Sequence, residues 1–290
     1  MTAIRAPGDN PPFFRGLSSG QAMDPVLLPP FAMTVVSNSA IDAFLSLSLL
    51  TIIVVVIGIS SAIAIITHCV LVPWVAGRDG SKMVGFQSDV VSMIGLAFGL
   101  LISFNAVSVW ETADSAKTAI MTEAASLQSF SYELDYLPAP QSEEGQALLR
   151  QYVDHVRLIE WPLLMKSQAL IDRPDSQKQL VAFSRTHGHD AMNTALTSAI
   201  DQRIVRIQMS LYRISRARWT VVVMLAILLI FSMGLLHAEH RRARAVGLTF
   251  AAFSIATCFI IFFAHGRPFI GSNAFQPVEL NELATKLAAG

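Results

Sequence analysis

Residues 44–72 contain no Asp, Glu, Lys or Arg and are almost entirely apolar. About 20 such residues are enough for an α-helix to cross the hydrocarbon core of a bilayer. Three further apolar runs, residues 84–110, 219–236 and 246–263, predict three more spans. Composition agrees, because 53% of the residues are hydrophobic, 14% are charged and the mean hydropathy is +0.51, whereas soluble domains carry about 25% charged residues. The sequence therefore predicts an integral protein of the lipid bilayer.

The second run has small and polar residues at helical spacing. They are Asp89, Ser92, Gly95, Gly99, Ser103 and Asn105. Two of them form the GxxxG spacing that allows close packing of membrane helices. A polar face in a bilayer must meet protein or water. The face therefore packs against helices, lines an aqueous path or contacts a ligand, and its residues are the candidates for lining a pore.

The second run continues into a more polar, amphipathic segment. Apolar residues recur every three or four positions as far as Leu137, and Glu123 is expected on the solvent side of this stripe. No proline or glycine interrupts the segment before Pro138, so one helix over residues 84–137 is predicted. The membrane helix is thus expected to become the first wall of a helical domain.

The following segments predict the rest of that domain. A helix that begins near Ser142 is expected to end at Trp161 and Pro162, and a short helix follows at residues 176–185. Residues 190–236 predict another helix that enters the membrane without a break. Its domain half carries a heptad-like apolar seam that includes Ile200, Ile204 and Ile207.

The fold class predicted is all-α, with four transmembrane helices and a helical-bundle domain inserted between the second and third spans. The expected division, listed in chain order, is a flexible tail at 1–42, spans one and two at 43–110, the helical domain at 111–218, spans three and four at 219–264, and a C-terminal tail at 265–290.

The orientation follows from the basic residues of the short loops. These are Arg78, Lys82, Arg241, Arg242 and Arg244. The positive-inside rule places such loops in the cytoplasm and the domain outside it. The arginines at positions 213, 216 and 218 argue for the opposite orientation.

No arrangement of residues in the chain points to catalysis. No nucleophile with a base, phosphate-binding loop or metal-ligand spacing is recognisable, so we expect no enzyme, cofactor or metal. Two histidine-containing groups, His237 with Glu239 and His240, and His187 with His189 and Asp190, do not match a metal-site pattern. His68 near the end of the first span is an interfacial histidine or a site for a proton or anion. A formal net charge of zero gives no reason to expect nucleic acid.

Several short motifs occur in a fixed order relative to the four spans. They are Asp89-Val90-Val91, Val107-Ser108-Val109-Trp110-Glu111, Glu123-Ala124-Ala125, Glu160-Trp161-Pro162 and Arg267-Pro268-Phe269 followed by Gly271. In these motifs, over about residues 45–285, the chain resembles the bacterial bestrophin-like membrane proteins of unknown function. One departure is Gly266, since the family usually has an acidic residue before Arg-Pro-Phe.

The resemblance implies a location in the bacterial inner membrane and a functional hypothesis. Bestrophins are anion channels that oligomerise around a pore lined by their second membrane helix. By analogy the chain is expected to be a homo-oligomeric channel for small ions. A carboxylate at Asp89 would repel anions unless it is paired. The alternative hypothesis is a non-conducting membrane scaffold or sensor that relays partner or ligand binding through the helical domain.

Overall fold

The computed structural model describes residues 44, 46–77, 80, 86–212, 215–271 and 274–289. All of them belong to one compact unit of the chain, which spans Met33–Gly290. The regular structure of these residues is helical throughout, without a β-strand. The fold class predicted from the sequence is therefore confirmed as all-α. The predicted tail at residues 1–42 lies outside the described residues.

Eight helices follow one another along the described chain. They are α1 (Leu49–Ala76), α2 (Ser88–Leu134), α3 (Ala139–His155), α4 (Asp175–His187), α5 (Asp190–Leu211), α6 (Arg216–Leu236), α7 (Arg241–His265) and α8 (Val278–Ala289). Helix α3 is continued by a π-helical turn, Val156–Glu160, and by Trp161–Met165. Among the described residues α1, α2, α6 and α7 are each long and apolar enough to cross a membrane, so the four predicted spans are present as helices.

Two π-helical turns allow helices to continue through prolines. One turn, Thr67–Leu71, lies within α1, and the other is Val156–Glu160. Each ends two residues before a proline, Pro73 or Pro162. Proline cannot donate the α-helical hydrogen bond, and its ring presses on the preceding turn, so a widened turn accommodates it without ending the helix. The predicted helix end at Trp161 and Pro162 is therefore wrong.

Helix α2 is too long to lie within a bilayer. Its 47 residues rise by about 70 Å at 1.5 Å per residue, whereas the hydrocarbon core is about 30 Å thick. Within α2, no proline or glycine occurs after Gly99. The prediction of one long continuous helix is borne out over Ser88–Leu134, so the helix ends at Leu134 rather than at Leu137.

Two separate hydrophobic cores form along α2. The first, here called the span core, joins the N-terminal half of α2 to the other three apolar helices. Its buried residues include Ile52, Phe98, Val222, Ile230, Leu248 and Ile255. The second core joins the C-terminal half of α2 to α3, α4, α5 and α8. Because α8 contributes Leu280, Leu283 and Leu287 to it, the C-terminal segment is part of the second core rather than a free tail.

A break separates α5 from α6. Helix α5 ends at Leu211, and the ψ angle of Tyr212 is 129°, which is an extended value. Helix α6 restarts after Ser215, whose hydroxyl oxygen accepts a hydrogen bond from the backbone N–H of Arg218. Such a serine N-cap satisfies a donor that the first turn leaves free. The prediction of an uninterrupted helix over residues 190–236 is therefore wrong.

The two short loops on the far side of the span core approach each other at Gly80. The φ angle of Gly80 is +72°, and a Cβ atom there would lie 2.7 Å from the backbone carbonyl carbon of Ala238. Only glycine combines this left-handed backbone with such a close approach. Gly80 therefore brings the loop after α1 against the loop between α6 and α7.

Candidate functional site

Four charged side chains are buried together inside the second core. Glu123 comes from α2, Glu160 from the π-helical turn after α3, and Arg203 and Arg206 come from α5. None is more than 2% exposed. Two cations face two anions, so the group is neutral and each charge has a partner. We call these four residues the charge cluster.

Arg206 lies at the centre of the charge cluster. Its Nε atom is 2.6 Å from Oε2 of Glu123, and its Nη2 atom is 3.1 Å from Oε2 of Glu160. Burial alone would lower the pKa of Arg206, but the two carboxylates outweigh it and raise that pKa. The guanidinium therefore stays charged and joins α2 to the π-helical turn.

Arg203 extends the charge cluster toward the segment after Met165. It makes two contacts with Oε1 of Glu160, at 2.6 Å from Nη2 and 2.9 Å from Nε. The same Nη2 donates to the backbone carbonyls of Leu170 and Asp172. Because a planar guanidinium offers several fixed donors, one side chain fixes both a carboxylate and a loop.

The π-helical turn explains why Glu160 can reach both arginines. Helix α3 packs on α2, α4 and α8, and the extra residue in the widened turn shifts the register of the side chains that follow. Glu160 and Trp161 consequently lie side by side in the second core, at 2% exposure each.

Trp161 connects the charge cluster to the C-terminal segment. Its ring lies 5.5 Å from the guanidinium carbon of Arg206, which is a cation–π distance. The ring of Phe269 meets it edge to face at 5.6 Å, and its indole N–H donates to the carbonyl oxygen of Phe275. Trp161 therefore packs between the arginine and the segment that follows the last span.

Arg267 binds the break between α5 and α6. One terminal nitrogen donates to the carbonyl oxygen of Tyr212 at 2.8 Å and to that of Ser210 at 3.2 Å. The last carbonyls of a helix have no partner within it, and the guanidinium supplies one here. The Arg267-Pro268-Phe269 motif thus joins the end of α7 to the end of α5 and to Trp161.

Three buried polar atoms near the charge cluster have no hydrogen-bond partner among the described residues. They are Nη1 of Arg206, the hydroxyl of Tyr152 and Nε2 of His155, which lies 3.9 Å from Oε1 of Glu160. Burial, followed by the negative charges of Glu123 and Glu160, raises the pKa of Tyr152 well above its ordinary value. The phenol is therefore held neutral beside the carboxylates.

The pore candidates of α2 lie largely on an uncovered surface. The side chains of Asp89, Ser92 and Ser103 are exposed in this single subunit. Ser92 donates to the carbonyl of Ser88, and Ser103 donates to that of Gly99. No other part of the described chain covers Gly99, where an added Cβ would meet nothing within 4 Å.

Gly95 and Asn105 differ from the other pore candidates. Asn105 follows Ser103 by two residues, which is about 200° around a helix, and it is buried on the side of α2 that faces α6. Its amide donates to the carbonyl of Leu101. An added Cβ at Gly95 would meet Leu229 of α6 at 3.6 Å, an ordinary contact. The structure therefore separates Asn105 from the face that includes Ser92 and Ser103.

Two further family-motif residues, Trp110 and Glu111, are exposed and do not join the charge cluster. They mark the middle of α2, between the span core and the second core. Ser108, one turn before, hydrogen-bonds to the hydroxyl of Tyr212 at 3.0 Å. The motif therefore lies at the level of the break between α5 and α6.

The histidines form no metal centre in the described part of the chain, where no group of three or more potential ligands occurs. His189 instead contacts a carboxylate oxygen of Glu133 at 2.7 Å. His237 contacts the carbonyl of Met233. These contacts account for both histidines within the helical packing.

The charge cluster contains residues that sequence reasoning did not single out. Arg203 and Arg206 lie on the buried face of α5 with Ala199 and Ser210, while Ile204 is exposed. Of the expected apolar seam, Met192, Leu196 and Ile207 are buried and Ile200 packs against the same core, so only the placement of Ile204 is wrong. Glu123, expected on the solvent side, is fully buried. The sequence did contain a signal for this buried face in the spacing of its residues. The intervals between successive members of the set are four, three and four residues, as on one side of a helix, and the set is Ala199, Arg203, Arg206 and Ser210.

Four apolar helices and two cores joined by α2 define a multi-pass helical membrane protein. Comparison with family models identifies its relatives, since the model of the bestrophin-like domain matches residues 58–280. The match covers well over half of the 290 residues, and the chain belongs to the bestrophin-like family. Comparison with curated proteins gave no match. Comparison with solved structures gave none either.

Proposed function

We propose that the chain forms a homo-oligomeric channel for small ions in the bacterial plasma membrane, with α2 lining the path. The observation that carries the proposal is an uncovered face of α2 that bears Asp89, Ser92 and Ser103, with Leu96 exposed among them. Asp89, Ser92 and Ser103 fall within an arc of about 60° at 100° per residue. All three are exposed in the subunit.

A ring of subunits would give this face an aqueous surrounding. Polar and ionisable groups in a bilayer are unfavourable toward lipid and normally face protein or water. The other apolar helices pack on the opposite side of α2, where Phe98 and Asn105 are buried. Copies of α2 around a common axis would place Ser92 and Ser103 against water, and Gly99 would leave the path wide. Gly95, at the edge of the face, would border it.

The second core would form a helical domain outside the bilayer, inserted between α2 and α6. We assign residues 111–218 to this domain and add the C-terminal segment after α7, because α8 packs into the same core. The domain copies would surround a vestibule that continues the path. The three arginines in the first turn of α7, next to the α6–α7 loop, favour the cytoplasm for the short loops and hence the opposite side for the domain.

The charge cluster supports a structural function in this channel. A buried ion pair that loses one partner leaves an uncompensated charge, which destabilises the fold strongly. The pair of Arg206 and Glu123 would therefore fix how α5 packs on α2, and Arg267 would fix the exit of α5 toward the membrane. These contacts would hold the angle at which α2 leaves the span core in every subunit.

The proposal is tested by stoichiometry in detergent and by ion flux in liposomes. We expect an oligomer that conducts, with flux strongly reduced by Ser92→Trp and Ser103→Trp because indole rings would fill the path. Met224→Trp is the matched control, since Met224 is an exposed residue of α6. A monomer without flux would overturn the channel, and an oligomer without flux would favour the scaffold. Equal effects of all three variants would show that α2 does not line the path.

A further inference from the structure

Three arginines occupy the first turn of α7. Arg241, Arg242 and Arg244 follow the loop that begins at His237. The N-terminus of a helix carries a partial positive charge and stabilises anions rather than cations. Three cations at this end are therefore unfavourable unless an anion is present.

Arg244 is the most informative of the three because it is only 3% exposed. Its Nε donates to Nδ1 of His68 at 3.2 Å, and its Nη1 donates to the carbonyl oxygen of Ala238 at 3.2 Å. Both acceptors are neutral. Among the described residues no carboxylate makes an ion pair with Arg244, and Arg241 is close enough to repel it. A buried charge without a counter-charge is unfavourable.

His68 connects Arg244 to a cavity between α1 and α7. The cavity has a volume of about 240 Å³ and is lined by Ser61, His68, Cys69, Leu248, Thr249 and Phe253, among others. Because Nδ1 of His68 accepts from Arg244, we assign the ring proton to Nε2, which leaves a donor for a ligand. His68 thus places an N–H donor at one end of the cavity, with Arg244 hydrogen-bonded behind it, and the rest of the cavity wall is mainly apolar.

The cavity also borders the surface that faces lipid. Ile65 and Phe253, which line it, are both exposed large apolar residues of span helices. A membrane molecule can therefore enter from the side. The occupant that matches both ends has an apolar chain and an anionic head.

We propose that an anionic phospholipid binds between α1 and α7, with its phosphate against Arg241, Arg244 and His68. Part of one acyl chain fills the cavity beside Leu248 and Phe253. The phosphate supplies the counter-charge that the first turn of α7 needs. The site is independent of whether α2 lines a pore.

Lipid binding is tested with the full chain in detergent by native mass spectrometry and thermal unfolding. The probes are phosphatidylglycerol, phosphatidylcholine with the same acyl chains, and inorganic phosphate. We expect phosphatidylglycerol to remain bound and to raise the unfolding temperature more than the other two. Equal retention of both lipids would overturn the headgroup assignment. Equal stabilisation by inorganic phosphate would overturn the lipid as occupant.

Two variants test the phosphate end and the acyl-chain end of the site separately. Arg241→Gln should weaken phosphatidylglycerol binding roughly fivefold, since one basic residue near a membrane surface contributes about that factor. Thr249→Trp should weaken it by filling the cavity while it leaves every arginine in place. Arg185→Gln, at an exposed position on α4, is the control for charge. If both variants bind phosphatidylglycerol as Arg185→Gln does, the proposal is wrong, and neither test depends on a folded Arg244 variant.

Discussion

The guanidinium of Arg267 donates a hydrogen bond to the carbonyl oxygen of Tyr212 across 2.8 Å. This contact joins the segment after the last apolar helix to the residue that directly follows α5. A second bond from the same nitrogen reaches the carbonyl of Ser210. The residues are far apart in sequence, yet together they define how the chain passes from the second core back into the span core.

Loss of this contact should destabilise the protein measurably. Arg267→Gln is expected to lower the free energy of unfolding by about 1.5–3 kcal/mol, the range for hydrogen bonds to a charged group. Arg267→Lys should lie between the wild type and Arg267→Gln, because an ammonium keeps the charge but has no planar fork. Denaturant unfolding in detergent measures the difference. An Arg267→Gln variant as stable as Arg173→Gln, a control in the loop before α4, would contradict the capping interpretation.

The charge cluster predicts strong coupling between Glu123 and Arg206. Glu123→Leu or Arg206→Met alone should destabilise by about 3–5 kcal/mol, because each leaves a buried charge without its partner. The double variant should be less destabilised than the sum of the two. A double-mutant cycle measured by denaturant unfolding gives the coupling energy. Additive effects would mean that the two side chains do not interact as a pair.

Much of the architecture could be predicted from apolar periodicity. The spans are long and weakly charged, and α2 lacks any proline or glycine between Gly99 and its end. Sequence signals for helix ends failed at two places where the surrounding structure decides whether the helix continues. Pro162 normally indicates a helix end, but the π-helical turn before it allows the helix to continue. The break at Tyr212 has no proline or glycine, and Arg267 supplies its hydrogen bonds from a distant segment.

Only part of the candidate site could be predicted from the sequence, because some of its contacts depend on distant segments. Trp161 and the Arg267-Pro268-Phe269 motif were recognised as family motifs, and the structure brings Trp161 and Phe269 into contact. Their partners Arg203 and Arg206 were missed because charged residues at helical spacing normally indicate a solvent face. Only the neutralising carboxylates from two other helices make their burial favourable, and a sequence does not show which carboxylates they are.

Gly80 and Gly58 should respond oppositely to the same substitution. Gly80→Ala places a Cβ against the backbone of Ala238 in a left-handed conformation, so we expect a loss of more than about 1 kcal/mol of stability. At Gly58 in α1 an added Cβ meets nothing within 4 Å, and the higher helix propensity of alanine should leave stability unchanged or raise it by up to about 1 kcal/mol. Thermal unfolding of the two variants measures this. A tolerated Gly80→Ala would contradict the close approach of the two loops.

We expect Tyr152 to make the stability of the protein sensitive to alkaline pH. Its pKa is raised in the folded protein by burial and by the nearby carboxylates. Below a pH of about 10 the phenol is neutral in both states. Above it the unfolded phenol ionises while the folded one resists, so the free energy of unfolding falls as the pH rises. Tyr152→Phe should remove this part of the decline.

The same variant should be at least as stable as the wild type at neutral pH. The Tyr152 hydroxyl is buried without a hydrogen-bond partner among the described residues, and its removal should add about 1 kcal/mol. Tyr136→Phe, at an exposed position, is the control. The measurement is unfolding as a function of pH, and a profile for Tyr152→Phe that parallels the wild type would show that this phenol is not the group responsible.

Asp89 should control which ions pass if the proposed channel forms. Its carboxylate is exposed at the start of α2 and makes no ion pair among the described residues. Repeated around a ring, it would place one negative charge per subunit at the entrance, and rings of acidic side chains favour cations. Asp89→Asn should therefore raise chloride flux relative to potassium flux in liposomes, whereas Asp114→Asn, exposed farther along α2, should change the ratio less. An unchanged ratio for Asp89→Asn would mean that permeating ions do not pass this carboxylate.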